Sequence, residues 1–143
     1  MKKQILSIAV TLSVVIVLSV AALASMRARL TANIPFAFSV NNATLPAGEY
    51  TLDQRNHPNM LWLRNFAAKK NAGVIVQNGE TKGMKGKARL VFRRYGDQYF
   101  LAQIHDGLSR TPLEVLRSKA ERAAAQGERH LAELITITAE VGQ

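Results

Sequence analysis

Between Leu30 and Val40 every second residue is apolar: Leu30, Ala32, Ile34, Phe36, Phe38 and Val40. Thr31, Asn33 and Ser39 fall between them. Successive side chains on a β-strand point to opposite faces, so a period of two over this length predicts a half-buried strand. A helix would repeat its apolar positions at three and four. Pro35 lies on the polar face, and because proline has no amide to give to a ladder it predicts an edge position or a bulge.

The same grammar continues downstream. Leu45-Pro46-Ala47-Gly48-Glu49-Tyr50 places a fixed φ and a permissive φ where a tight turn needs them, ahead of a strand through Tyr50 and Leu52. Asn56-His57-Pro58-Asn59 predicts a second turn. Met60 to Phe66 and Ala72 to Gln77 then read as strands joined by Lys69-Lys70-Asn71. A loop rich in glycine and lysine runs from Asn78 to Lys87. The runs Leu90 to Tyr95 and Gln98 to Ile104 flank Gly96-Asp97, which predicts a hairpin turning on the positive φ of a glycine. Alternation assigns Leu90, Phe92, Phe100, Ala102 and Ile104 to its core face.

After Asp106-Gly107 the pattern changes. Ser118-Lys119-Ala120-Glu121 fits a capping box, in which the serine oxygen accepts from a free helix amide and the glutamate reaches back to the serine amide. Strong helix formers follow until Gly127, so one short late helix is expected. Leu113 to Leu116 extends that helix backwards or forms a short edge strand. A closing strand follows, with Leu131, Ile135, Ile137, Ala139 and Val141 on one face. About seven short strands and one helix predict an all-β fold, an antiparallel sandwich or barrel. A length of 143 residues gives room for one such core.

The chain begins Met1-Lys2-Lys3 and runs apolar from Ile5 to Ala24, broken only by Ser7, Thr11, Ser13 and Ser19. A positive end, an apolar middle and a small-residue site are the parts of a secretory signal. Ala22 and Ala24 supply the small residues, so the expected cut leaves Ser25 first. The domains are then a signal at residues 1–24 and a single β domain at 25–143, released to the periplasm or outside the cell. The alternative is an uncleaved inner-membrane anchor through residues 5–24, since about 20 apolar residues span a bilayer as a helix. Arg27 and Arg29 just beyond weaken the charge asymmetry that orients such segments. The absence of cysteine excludes disulfides and a lipid-modified cysteine tether, and it points to a bacterial envelope.

The segments Ile34 to Phe38, Leu45 to Tyr50, Leu90 to Leu101 and Ser118 to Arg122 together resemble a group of small uncharacterised exported proteins of soil bacteria, chiefly acidobacteria. The resemblance spans most of the chain after the leader. In that group a Leu-Pro-Lys-Ser run precedes the helix, where this chain has Val115-Leu116-Arg117-Ser118, and a tryptophan closes the hairpin, where it has Ile104 or His105. The resemblance implies export and a β fold and brings no activity with it.

Function is less legible. Removing Lys2 and Lys3 with the leader lowers the net charge from +9 to +7, so anionic lipid or glycan is the expected kind of partner. Lys82, Lys85, Lys87 and Arg89, with Arg93 and Arg94 on the following strand, are the candidate anion-binding residues, because lysines spaced by glycines can surround an anion with side chains and exposed amides. The P-loop spacing is missing, and no specific nucleic acid partner is expected. His57, His105 and His130 lack metal-site spacing, and no nucleophile elbow is present. His105 and Asp106 are neighbours in sequence, which on a strand sends them to opposite faces. No catalytic residue, metal site or cofactor is assigned. The expected role is a non-catalytic binding or structural domain, with a small exported hydrolase of unrecognised site, or a membrane-anchored periplasmic module, as alternatives.

Overall fold

The computed structural model describes residues 29–54, 57–80, 86–127 and 132–142. The expected leader, with Ala22, Ala24 and Ser25, lies outside these residues, as do Lys82, Lys85, His130 and Leu131. Among the described residues the fold is all-β with one helix, but it has eleven strands rather than about seven. The excess comes from four three-residue strands, too short to show a periodicity of their own.

The alternating segment is two strands. β1 (Arg29–Ile34) stops at Pro35, and β2 (Phe38–Val40) resumes in a different strand group. The missing proline amide ends the first ladder while the inward parity survives the bend: Leu30, Ala32, Ile34, Phe38 and Val40 are all buried and Phe36 is partly so. β3 (Ala43–Leu45) pairs with β2, and the Pro46-Ala47 turn leads into β4 (Gly48–Asp53), which pairs with β1.

A β-turn at His57-Pro58, closed by the Met60 amide on the His57 carbonyl, introduces β5 (Met60–Asn65). The connection to β6 (Lys70–Asn78) occupies Phe66 to Lys69, and Lys70 and Asn71 belong to the strand. Asn65 sets this earlier turn, because its Oδ1 accepts the Ala68 amide at 2.9 Å. β6 changes partners along its length: Lys70 to Ile75 pair with β5, and Val76 to Asn78 pair with β9 (Leu113–Val115). β9 also pairs with β8 (Gln98–His105), so this segment is a strand with neighbours on both sides, neither an edge nor part of the helix.

β7 (Arg89–Tyr95) and β8 form the expected hairpin, with Gly96 at φ 61° as the first central residue of its turn. Its faces differ from the alternation pattern. Val91 lies opposite Gln103 and Phe92 opposite Leu101, which leaves Ala102 as the extra residue of a β-bulge. Leu101 therefore joins Leu90, Phe92 and Ile104 in the main core, while Phe100 and Ala102 turn to the other face with Tyr95, whose ring meets Phe100 edge-on at 5.9 Å. Both faces of the hairpin are buried.

The helix, α1 (Lys119–Gly127), begins as expected: Ser118 Oγ accepts the Glu121 amide at 3.1 Å. The reciprocal half of the capping box is absent. Glu121 carries its carboxylate to Arg93 Nε and to the Tyr95 hydroxyl at 3.3 Å, and it is the only buried residue of the helix. An arginine within reach in the folded chain outcompetes the local serine amide, since a charge-assisted bond is the stronger one. α1 is thus attached to the second face of the hairpin by a polar latch.

The closing segment is also two strands. β10 (Glu133–Thr138) pairs with β7, and after Ala139, whose amide bonds the Ala88 carbonyl at 2.8 Å, β11 (Glu140–Gly142) pairs with β1. Ala139 is buried and Val141 is exposed, so the single apolar face read from the sequence ends where the chain changes partners. Neighbouring strands run in the order β10-β7-β8-β9-β6-β5-β4-β1-β11, with β2 bridged to β8 and β3 paired to β2. All pairings are antiparallel except the single parallel bridge of Ser39 to Phe100. The core draws on both strand groups.

Candidate functional site

The antiparallel order gathers the start of β1, the end of β4, the start of β5, the end of β8 and the start of β9 at one end of the core. There, Leu30, Leu52, Leu61, Ile104 and Leu113 do not meet completely, and they wall a cavity of about 260 Å³. An apolar cavity of 150 Å³ already admits a benzene-sized guest. The rim carries Gln54, Asn78, Asp106, Ser109 and Thr111, and Leu108, 64% exposed, projects from the same loop.

That loop is built by Asp106. Its Oδ1 accepts the Leu108 amide at 2.9 Å and the Ser109 amide at 2.7 Å, the self-capping turn that aspartate favours. Ser109 Oγ accepts the Thr111 amide at 3.3 Å, and the Pro112 carbonyl accepts the Gly79 amide at 2.8 Å, which ties the loop to the end of β6. Gly107 sits at φ 79°, and a Cβ there would lie 2.4 Å from the Gly86 carbonyl oxygen, so only glycine lets the two loops touch. The lining thus couples a greasy floor to a hydrogen-bonding rim, as small-molecule sites commonly do.

His105 and Asp106 part as their adjacency requires. Asp106 lines the cavity beside Ile104, whereas His105 lies opposite Arg89 on the outside of the hairpin. Burial, then the Arg89 charge, lowers the His105 pKa, with Asp106 opposing. The imidazole does not line the cavity. Among the described residues no three histidine, aspartate or glutamate side chains gather as a metal site.

The described members of the expected basic site are distributed. Lys87 is exposed in the loop before β7, and Arg89 is half-buried at the start of that strand. Arg93 lies on the outer face and makes two bonds to Glu121. Arg94 has the opposite parity: it bonds Glu133 at 3.2 Å and the Gly96 carbonyl at 2.6 Å, and its guanidinium stands 5.6 Å from the Tyr99 ring centre. Lys87 and Arg89 are two residues apart in the chain, while Arg93 and Arg94 are committed to carboxylates on different elements.

Sequence reasoning missed the cavity, whose walls come from five strands with no common motif. The Asp106-Gly107 pair located its loop without revealing what the loop borders. Comparison with protein-family models, with curated proteins and with solved structures finds no match.

Proposed function

We propose that this chain is a non-catalytic binding domain that takes the apolar part of a small amphiphile between its strand groups. The observation that supports it is the cavity of about 260 Å³ walled by Leu30, Leu52, Leu61, Ile104 and Leu113 and bordered by polar side chains. In shape the proposed architecture is a sandwich whose layers are joined along one edge by β6 and along the other by β10 and β11. The domain is proposed to act outside the cytoplasm, released at Ser25. Mass spectrometry of the native N-terminus checks release: Ser25 first supports it, and an intact Met1-Lys2-Lys3 start in the membrane fraction supports the anchored alternative.

The uncharged dye N-phenyl-1-naphthylamine tests the cavity, because its emission rises when it leaves water. Saturable binding by the released domain is expected, with affinity at least about tenfold weaker in Leu61→Trp, where the indole occupies the space; tenfold corresponds to about 1.4 kcal/mol. Binding that Leu61→Trp leaves untouched would place the dye elsewhere and remove this reading.

A second reading, contact with an anionic lipid or glycan surface, is favoured by the net charge and by Lys87 and Arg89, which bond no carboxylate among the described residues. Binding to vesicles containing phosphatidylglycerol should weaken with salt and when Lys82, Lys85 and Lys87 become glutamine. If that triple variant binds as tightly as the parent, the basic loop has no part in it.

A further inference from the structure

We infer that the cavity selects its ligand by head group, and that the preferred head is a primary ammonium seated against Asp106. This rests on the cavity reading above and adds the chemical class of the guest. Among the described residues, Asp106 is the only charged residue of the lining. Both backbone amides that hold it, from Leu108 and Ser109, converge on Oδ1, so the carboxylate is pinned at the rim by one oxygen. No hydrogen bond to a described residue is made by Oδ2, and an ionised carboxylate has capacity for about four acceptor bonds.

The other rim groups do not discriminate. Gln54, Asn78, Ser109 and Thr111 have side chains that can donate or accept, and so they serve an alcohol, an amide or an acid about equally. Asp106 only accepts, and a carboxylate-headed guest would bring a like charge to a rim bordered by apolar walls, where charges are poorly screened. An ammonium supplies three donors and the opposite charge, and its alkyl or aryl body fills the floor formed by Leu30, Leu52 and Leu61. Arg110, in the same loop, is exposed and does not line the cavity, so it offers no competing seat for an anion there. The local charge thus points to a cationic guest although the chain as a whole is basic.

Displacement of bound N-phenyl-1-naphthylamine by hexylamine, hexanol and hexanoate, equal in length and different in head, tests this on the released domain. Hexylamine is expected to displace about tenfold more strongly than hexanol, the scale of a hydrogen bond to a charged group, and hexanoate least. Asp106→Asn keeps an oxygen to accept the Leu108 and Ser109 amides while removing the charge, so it should erase the amine preference, with hexylamine no longer displacing more strongly than hexanol. Hexanoate matching hexylamine, or an amine preference that persists in Asp106→Asn, would overturn the inference while leaving the cavity in place. Failure of the dye and of all three compounds to bind would remove the cavity reading and this inference together.

Discussion

The two ends of the core are filled by opposite strategies. At one, Phe36 stacks on Tyr99 with ring centres 3.9 Å apart and meets Phe92 edge-on, and Phe38 lies edge-on to both Tyr50 and Phe92 at 5.1 and 5.3 Å. Broad rings interlock across the gap between the strand groups and close it. At the other, only aliphatic side chains face each other, and a cavity remains. Leucine and isoleucine reach less far than aromatic rings and lack their edge-to-face geometry, so the same strand separation that phenylalanine fills is left partly empty. The pattern separates close packing from open space: aromatic rings join the strand groups at one end, and aliphatic side chains leave the cavity at the other.

The largest expected effects probe that division directly. Phe38, 1% exposed and in contact with two rings, should destabilise the domain by about 3–5 kcal/mol as alanine. Leu61→Ala borders space that is already empty, so it has fewer contacts to lose and should fall near the low end of the usual range, about 2 kcal/mol. Urea unfolding midpoints of the two variants measure the difference, and equal losses would break the distinction between the ends.

The latch of α1 comes next. Glu121→Ala leaves the Arg93 guanidinium beside an emptied site and the Tyr95 hydroxyl without its acceptor. Breaking a buried ion pair destabilises by about 3–5 kcal/mol; the Arg93 side chain retains 16% exposure and can recruit water, so about 2–3 kcal/mol is expected. Because Glu121 is the only buried residue of α1, circular dichroism at the helical minimum should weaken as well. Retention of the full helical signal would show that the helix has another attachment.

How much of this was legible depended on whether the deciding interaction was local. The inward parity from Leu30 to Val40 survived the bend at Pro35 because a proline acts on its own ladder, and Ser118 capped its helix because the accepting oxygen and the free amide are three residues apart. The Ala102 bulge left no comparable mark: one unpaired residue reversed the faces of Phe100 and Ala102, and nothing in the apolar pattern records a register shift between two strands. Glu121 illustrates the same limit. Its spacing from Ser118 encodes a local bond, whereas its observed partners, 28 and 26 residues away, exist only once β7 is in place. The cavity is the extreme case, since no two of its walls are adjacent in sequence.

A smaller effect is expected at Tyr50, fully buried at the aromatic end, whose hydroxyl donates to the Pro46 carbonyl at 2.6 Å. Tyr50→Phe keeps the ring contact with Phe38 and removes that bond, a loss of about 1 kcal/mol. Burial raises the phenol's pKa above its ordinary 10.0, with a hydrogen bond to Asn65 acting against the rise. The unfolded chain therefore gives up this proton first, and the contribution of Tyr50 to stability, full below pH 10, is lost as pH climbs above it. Alkaline unfolding of Tyr50→Phe should lack that component. A parent and a variant that decline in parallel would mean that the phenol does not report on the closed end.

The smallest expected effect lies at the open end and has the opposite sign in pH. Burial and Arg89 hold the His105 imidazole below its ordinary 6.5, and Asp106 only partly opposes them. Between those two values the unfolded chain binds a proton that the folded chain declines, so stability falls as pH drops below 6.5 and levels off once the folded imidazole also protonates. The side chain is half-buried and its charged neighbour Arg89 is partly solvated, so screening keeps the effect below that of Tyr50→Phe. His105→Gln removes the component, which makes the difference between parent and variant the quantity to measure. The two residues thus lower stability in opposite directions of pH, His105 in mild acid and Tyr50 in alkali. Urea midpoints of parent and His105→Gln that fall in parallel from pH 7 to about pH 5 would mean that this imidazole does not carry the acid response.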